Sequence, residues 1–179
     1  MPTRRSILSG LGGLVVTGAT GGFSAACGGL AAAQSLSHVE LRGGLDAADA
    51  GIMPGADDDQ SRKLQALLNA AAKAGQPVFL PAGTYEVSNL DLPEGTRLSG
   101  VPGATRLSYR GDGHLIAVRD VRHISLSGIT FDGANRWLAD YTEGLLAFRG
   151  VEEVLIDNCA IAGSRKYGVQ MERCGERIA

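Results

Sequence analysis

The pattern of hydrophobic and polar positions in residues 115–133 (LIAVRDVRHISLSGITFDG) recurs in residues 145–163 (LLAFRGVEEVLIDNCAIAG), at an offset of 30 and without a gap. Of these 19 aligned positions, 5 are identical and 6 more are apolar in both segments. A third, partial copy starts at Gly168 and aligns with residues 144–154 at an offset of 24. The copies are short, β-branched runs that Gly or Asn interrupts, and this pattern is typical of the coils of a β-solenoid.

One helix is predicted ahead of these repeats. Residues 34–56 show little periodicity and indicate an extended or loop-like lead-in. After them, Asp57 is a candidate N-cap with Gln60 three residues later, and apolar residues then recur at helical spacing as far as Gly75. An amphipathic helix over residues 60–74 would hide the apolar end of the first coil from water. The acidic run at its start could instead bind calcium, but no Gly-containing ligand loop follows, which favours a solvated helix start.

Short strands follow the helix in residues 76–87 (QPVFLPAGTYEV), 90–92 and 96–100. The succession of an acidic helix start, PVFLPAGTY, LPEGT and GVPGATRL resembles the N-terminal cap and first coils of β-helix proteins of the pectate lyase superfamily. With the pair Arg4-Arg5, the chain resembles more narrowly a family of twin-arginine-exported β-helical repeat proteins. The resemblance covers nearly the whole chain. It implies an all-β solenoid, a right-handed single-stranded parallel β-helix with an N-terminal capping α-helix.

The resemblance also implies three short parallel strands in each coil, with a left-handed residue at the bend between the second and third strands. Gly128 and Asn158 are aligned and fit that bend, because these residue types tolerate the left-handed conformation. Equivalent side chains would stack about 4.8 Å apart, and Cys159 would be an inward-stacking residue. The predicted first strands are 115–118, 145–148 and 169–172, the second strands 124–126 and 154–156, and the third strands 129–131 and 159–161.

In this superfamily, sugar polymers lie along the outer face of the first-strand sheet, where catalysis generally needs carboxylates or a calcium site with a basic residue. If Leu145 and Ala147 point inward, that outer face has no acid pair of the kind that glycoside hydrolysis requires. The outward positions would then be Ile116, Val118, Leu146, Phe148, Gln170 and Glu172. No catalytic residue is predicted.

One column of cations is predicted across the coils. Arg119, Arg149 and Arg173 occupy the same position in the three aligned copies. Stacked guanidinium groups would attract a regularly spaced polyanion such as a uronate polymer. These three residues are therefore candidate contacts for an acidic polysaccharide.

The loop from a third strand back to a first strand differs in length between the two full copies. It spans residues 134–143 in the earlier coil and residues 164–167 in the later one. The longer loop contains Asp140, Tyr141 and Trp137, the only Trp of the chain, and all three are further candidate polysaccharide contacts. Its aromatic rings could stack on sugars, or Trp137 and Leu138 could instead cover an apolar outer patch.

Composition narrows the function classes. The chain has 179 residues, a formal net charge of −2 and 26 glycines, which suits one turn-rich domain and excludes a basic nucleic-acid binder. Cys27, Cys159 and Cys174 are too few and too irregularly spaced for a disulfide framework or a zinc site. No metal ligands are predicted, and calcium is implied by the superfamily resemblance only.

The N-terminus predicts export. Arg4 and Arg5 precede a mildly apolar, Gly-rich run, and no acidic residue occurs before Glu40. Residues 1–33 thus resemble a twin-arginine signal peptide, which implies a periplasmic or secreted protein and the twin-arginine machinery as a partner. Cleavage is expected after Ala33, since the alternative before Cys27 is a poor lipobox and disfavours lipid anchoring. The apolar run is short and broken by Gly and Thr, so a stable membrane span is not expected.

Residues 57–179 are predicted to contain the capping helix and the first coils, about four in number. The last coil stops inside its expected second strand and no closing element follows, so a C-terminally incomplete β-helix is expected.

Three functional interpretations remain open from the sequence. The first is an exported β-helix that binds or processes an acidic polysaccharide, as a lyase, hydrolase or epimerase, with its catalytic coils outside this chain. The second is a non-catalytic binding or structural solenoid, and the third is a fragment without an independent function. The fold does not choose among them.

Overall fold

The computed structural model describes residues 44–175 and 177–178. The predicted signal peptide with Arg4 and Arg5, its cleavage site, Cys27 and the first part of the lead-in lie outside the described residues.

The described residues form one helix and 14 short strands. The helix α1 spans Ser61–Ala74. The strands are β1 (Leu45–Asp46), β2 (Val78–Leu80), β3 (Gly83–Val87), β4 (Leu90–Asp91), β5 (Arg97–Gly100), β6 (Thr105–Tyr109), β7 (Ile116–Arg119), β8 (His123–Ser127), β9 (Thr130–Asp132), β10 (Gly144–Arg149), β11 (Glu153–Asp157), β12 (Ala160–Ala162), β13 (Tyr167–Glu172) and β14 (Arg177–Ile178).

These strands build three sheets in which every pairing between described strands is parallel. The first-strand sheet has the order β13-β10-β7-β4, the second-strand sheet β1-β2-β5-β8-β11-β14, and the third-strand sheet β12-β9-β6-β3. From β3 to β12 the chain visits the sheets in turn and completes three turns. The prediction of an all-β parallel solenoid with one short helix is confirmed, while its right-handedness stays a prediction.

The register between neighbouring coils confirms the repeat with an offset of 30. Ile116 pairs with Leu146, Ile124 with Val154, and Phe131 with Ile161, all as the alignment predicts. The predicted bends are also confirmed, because Gly128 and Asn158 adopt φ angles of 67° and 50°.

The third copy does not keep one offset along its length. Ala147 pairs with Gln170, an offset of 23, whereas Glu153 pairs with Arg177, an offset of 24. The bend between β13 and β14 therefore contains one residue more than the bend between β10 and β11. The gapless alignment of the third copy was wrong in its first strand and right in its second.

Large apolar side chains from all three sheets fill the interior. Tyr85, Leu126, Phe131 and Phe148 are each at most 1% exposed and belong to one continuous core. Cys159 packs against this core and is partly buried, in agreement with the predicted inward position. Because each coil stacks its apolar residues on those of the next, the core runs along the solenoid axis.

The helix packs on the solenoid through Leu64, Leu68 and Ala71, which are buried in the same core. It contacts β2 and β4, and it ends at Gly75, whose φ of 64° confirms the predicted stop. Its role as the cap of the first coil stays a prediction.

The predicted helix start was wrong in detail. The helix begins at Ser61, and it is Asp59 rather than Asp57 that accepts a hydrogen bond from the Ser61 backbone N–H, at 2.9 Å. Gln60 is buried and its amide bonds both the backbone N–H and the carbonyl of Met53, at 2.8 and 2.7 Å. Gln60 thus anchors the lead-in, in which β1 pairs with β2.

Candidate functional site

A groove lies on the outer face of the first-strand sheet. Its lining comes from β7, β10 and β13, from the loop before β10, and from the residue two positions before β7. The lining residues are His114, Ala117, Val118, Arg119, Tyr141, Thr142, Ala147, Phe148, Arg149, Gln170 and Glu172.

The side chains of β7 and β10 point the opposite way from the prediction, whereas Gln170 and Glu172 on β13 line the groove as predicted. Ile116, Val118, Leu146 and Phe148 are at most 1% exposed, so they point inward and the prediction that they face outward was wrong. Ala147 is half-buried and lines the groove. The pattern was ambiguous in β7 and β10 because each has two adjacent apolar residues at or just before its start that are both buried: Leu115 and Ile116, and Leu145 and Leu146. Burial of the bulkier side chains decides the orientation.

Small side chains form the floor of the groove. Ala117 and Ala147 are paired across β7 and β10, and Gln170 continues their row on β13. A row of alanines leaves the sheet open to close approach by a flat ligand.

One wall of the groove carries the arginines. Arg119 and Arg149 are paired across β7 and β10, as predicted, but the next position in the row is Glu172. The Nε and Nη2 atoms of Arg149 lie 2.9 and 2.8 Å from Oε2 of Glu172. Arg119 is exposed and forms no ion pair with any described residue, so its charge is available to a ligand.

Arg173 does not belong to this row, and its predicted placement in the column was wrong. It follows β13 at the bend with a φ of 52°, and its Nε lies 3.9 Å from Oε1 of Glu172. The extra residue in this bend removes Arg173 from register. The row nevertheless stays net positive, because Arg119 and Arg149 share it with a single carboxylate, that of Glu172.

The opposite wall contains a buried imidazole and a phenol. The Nδ1 atom of His114 lies 3.1 Å from the hydroxyl of Tyr141, and the two rings meet edge to face with centroids 5.9 Å apart. The Nε2 atom of His114 has no hydrogen-bond partner, and its nearest carboxylate oxygen is Oδ1 of Asp91, 3.7 Å away. Burial lowers the pKa of His114, the Asp91 charge opposes that effect, and the Arg119 charge adds to it.

Polar contacts hold the segments around His114 in place. Gln65 on α1 bonds the backbone N–H and carbonyl of Asp91, at 2.9 and 2.7 Å. The Asn89 side chain accepts a bond from the His114 backbone N–H at 3.2 Å and donates to the Asp112 carbonyl at 3.0 Å. These bonds tie the helix, β4 and the start of β7 into one unit.

The loop that carries Tyr141 is also fixed at several points. The Lys166 ammonium donates to the carbonyls of Ala139 and Thr142, at 3.1 and 2.8 Å. The Ala139 N–H donates to the carbonyl of Gly113 at 2.8 Å. Gly113 has a φ of 149°, and a Cβ there would lie 2.8 Å from the Tyr141 hydroxyl and 1.9 Å from Oδ1 of Asn89. Glycine is therefore required for Tyr141 to reach His114.

Two other candidates of this loop lie outside the groove lining. Asp140 is exposed, and Trp137 is 67% exposed with the Arg165 guanidinium 5.2 Å from its ring centroid. Leu138, in contrast, is buried in the core. The interpretation in which Trp137 and Leu138 cover an outer apolar patch was wrong, because Leu138 joins the core and Trp137 remains open to solvent.

Sequence reasoning missed His114 and Asp91. Neither residue belongs to the pattern that the copies share: His114 aligns with Gly144 of the next coil, and Asp91 pairs with Ala117. The available signal was a lone histidine directly before a repeat. Only the solenoid winding brings it beside Asp91 and Tyr141.

Two properties of residues 44–175 and 177–178 concern metal binding and membrane insertion. In this part of the chain, no group of three or more His, Cys, Asp or Glu side chains is placed to hold a metal ion. No helix in these residues has the length and apolar character needed to cross a membrane.

Comparison of the chain with known protein families, with curated proteins and with solved structures found no match. The architecture is therefore established by the strands and their pairings as a parallel β-solenoid. The pectate lyase superfamily and twin-arginine export remain expectations from the sequence.

Proposed function

We propose that this chain is an exported β-solenoid that binds an acidic polysaccharide along the outer face of its first-strand sheet. The observation that carries the proposal is the exposed Arg119 guanidinium without an ion-pair partner among the described residues, one strand from Arg149 and beside an alanine floor. Neighbouring strands are about 4.8 Å apart, so the two guanidinium groups offer closely spaced sites for the carboxylates of a polyanion.

The groove spans three neighbouring strands of the first-strand sheet. It crosses β7, β10 and β13, so a polymer in it would run along the solenoid axis. The ring of Tyr141, which is 62% exposed, stands at its edge and provides a surface for stacking on a sugar. Export through the twin-arginine machinery to the periplasm or beyond, which Arg4 and Arg5 predict, would bring the protein to such polymers.

Binding, rather than hydrolysis, is the activity that the groove lining favours. Glycoside hydrolysis requires two carboxyl groups on either side of the reacting bond. Glu172 is the one acidic residue that lines the groove in the described part of the chain, and Arg149 occupies its Oε2 atom.

The test is the affinity of the double variant Arg119→Gln/Arg149→Gln for polygalacturonate and alginate at low ionic strength. Two exposed charge contacts contribute about 0.2 to 1 kcal/mol each, so the affinity should fall by about two- to thirtyfold and depend less on salt. Isothermal titration calorimetry measures both effects.

The matched control is Arg62→Gln/Arg122→Gln, which removes the same charge from exposed positions that do not line the groove. It should bind the polymers as the wild type does. Equal losses in the two double variants, or a wild type that binds neither polymer, would refute the proposal.

A further inference from the structure

We infer that the last described coil of the solenoid is a docking surface for a second copy of the same chain. We call this surface the end face and define it by the apolar residues of that coil that continue the core: Ile156, Cys159, Ile161, Val169 and Met171. The inference goes beyond the proposed function, because association of two copies requires no polysaccharide.

The stacked columns of core side chains are open to solvent at the end face. Phe131 and Phe148 in the preceding coil are at most 1% exposed. Ile161 and Met171, which pair with them, are each 37% exposed, and the other three residues of the end face are half-buried. A further layer stacked on this face would remove apolar area from water, which favours association.

The strand edges at the end face are also open within the described part of the chain. There, β12, β13 and β14 each pair with one strand of the preceding coil and with no other strand. β12 consists of Ala160, Ile161 and Ala162, so it has neither the charges nor the Pro that usually protect an edge. Such an edge is a template for pairing with another chain.

At the opposite end of the solenoid, other segments occupy the strand edges. β1 pairs with β2, and the Gln65 side chain bonds the backbone of β4. The N–H of Gly55 donates to the carbonyl of Thr84 in β3 at 2.7 Å, and the N–H of Gln60 donates to another β3 carbonyl at 3.2 Å. These contacts obstruct head-to-tail stacking into a fibre. Contact between two end faces instead gives a closed dimer with twofold symmetry.

A twofold axis that passes through the first-strand sheet at Gln170 satisfies both the edges and the side chains. The two copies of β13 then form an antiparallel pair, in which Val169 of each copy lies opposite Met171 of the other. Directly opposite residues of an antiparallel pair are on the same face of the sheet, so these apolar side chains meet in one joined core. Gln170 lies opposite its own copy and faces the groove.

The same symmetry gives the dimer a longer groove. The two first-strand sheets become one sheet, with β13 of each copy at its centre and both grooves on one outer face. The row formed by Ala117, Ala147 and Gln170 then continues into the same row of the second copy. A polymer long enough to cross the axis would contact both copies at once.

The first experiment is analytical ultracentrifugation of the full 179-residue chain, at about 1 to 100 μM. The wild type should show a reversible equilibrium between monomer and dimer. Met171→Lys places a charge on the end face and should raise the dissociation constant of the dimer by about tenfold or more. Met53→Lys is the matched control, because Met53 is 56% exposed and lies in the lead-in, so this variant should dimerise as the wild type does.

A second variant and a folding control keep the test decisive. Ile161→Lys introduces the same charge on the third-strand sheet and should weaken the dimer as Met171→Lys does. Circular dichroism and urea unfolding establish that each variant is folded. The predicted signal peptide is identical in all variants, so it does not produce a difference between them.

Disulfide formation tests the position of the twofold axis. Gln170→Cys places two thiols opposite each other, where Cα atoms of an antiparallel pair are about 4.5 to 5.5 Å apart and within reach of a disulfide. Mild oxidation should therefore link this variant into a covalent dimer. Ala147→Cys is the control, because Ala147 lies in the same row but one strand away from the edge. It should form no more covalent dimer than the wild type with its native cysteines.

Several results would overturn the inference. They are a wild type that stays monomeric, a species larger than a dimer, equal weakening by Met171→Lys and Met53→Lys, or a dimer that Gln170→Cys does not link. None of them affects the proposed function, which the polymer affinity of Arg119→Gln/Arg149→Gln tests separately.

Discussion

Replacement of Gly128 by Ala should destabilise the solenoid more than the same change at a left-handed glycine in open space. Gly128 forms the bend between β8 and β9 with a φ of 67°, and a Cβ there would lie 2.7 Å from the carbonyl oxygen of Gly100. The same Cβ would lie 3.2 Å from two ring carbons of Pro102. Both contacts come from the preceding coil, so the substitution probes how closely successive bends stack.

The expected magnitude has two parts. A left-handed conformation costs an L-residue about 1 to 2 kcal/mol, and this part applies to any such glycine. The contact with the Gly100 carbonyl adds about 1 to 3 kcal/mol, as overpacking of a tight interior does, because parallel pairing of β5 with β8 prevents that backbone from moving away. The free energy of unfolding should therefore fall by about 2 to 5 kcal/mol.

Gly95→Ala is the matched control. Gly95 has a φ of 72°, and no heavy atom lies within 4 Å of its Cβ position, so the expected cost is the conformational part alone, about 1 to 2 kcal/mol. Urea unfolding followed by circular dichroism gives the two free energies. If both variants lose the same stability within about 0.5 kcal/mol, the close stacking of these bends is refuted.

Two further predictions follow from buried titratable groups. Burial lowers the pKa of His114, so below a pH of about 6.5 the unfolded chain binds a proton more readily than the folded chain does. The free energy of unfolding should therefore decrease as the pH is lowered, by at most about 1.4 kcal/mol per pH unit. Asp91, Tyr141 and Arg119 face this ring, and urea unfolding at several pH values should show a weaker dependence in His114→Gln than in the wild type. An unchanged dependence in that variant would contradict the prediction. Burial raises the pKa of the Cys159 thiol, so peptide-resolved alkylation at pH 8 should be at least about tenfold slower in the folded protein than in urea. Equal rates in the two states would contradict the burial of Cys159.

Much of the architecture follows from local sequence alone. The 30-residue repeat predicts which residues pair across β7 and β10, as Arg119 and Arg149 do, because parallel coils of equal length place equivalent residues side by side. Gly128 and Asn158 predict their bend because few residue types adopt a left-handed conformation at low cost.

Packing between coils determines the orientation of the first strands and the identity of the residues that line the groove. Leu115 and Ile116 are both buried, so alternation along the strand could not tell whether Ala117 and Ala147 point into the core or into the groove. The bend after β13 contains one additional residue, so Glu172 rather than Arg173 lies beside Arg149 in the row. The third copy is short and diverged, and its sequence gives no local signal for such an insertion.

Asp91, His114 and Tyr141 come from three segments that share no motif, and winding of the chain around one axis brings them together. Repetition along the chain is therefore enough to specify the coils, because each coil repeats the same local interactions. The groove could be located only from the folded protein, because its side chains meet through contacts between different coils and its depth depends on which apolar residues the core accepts.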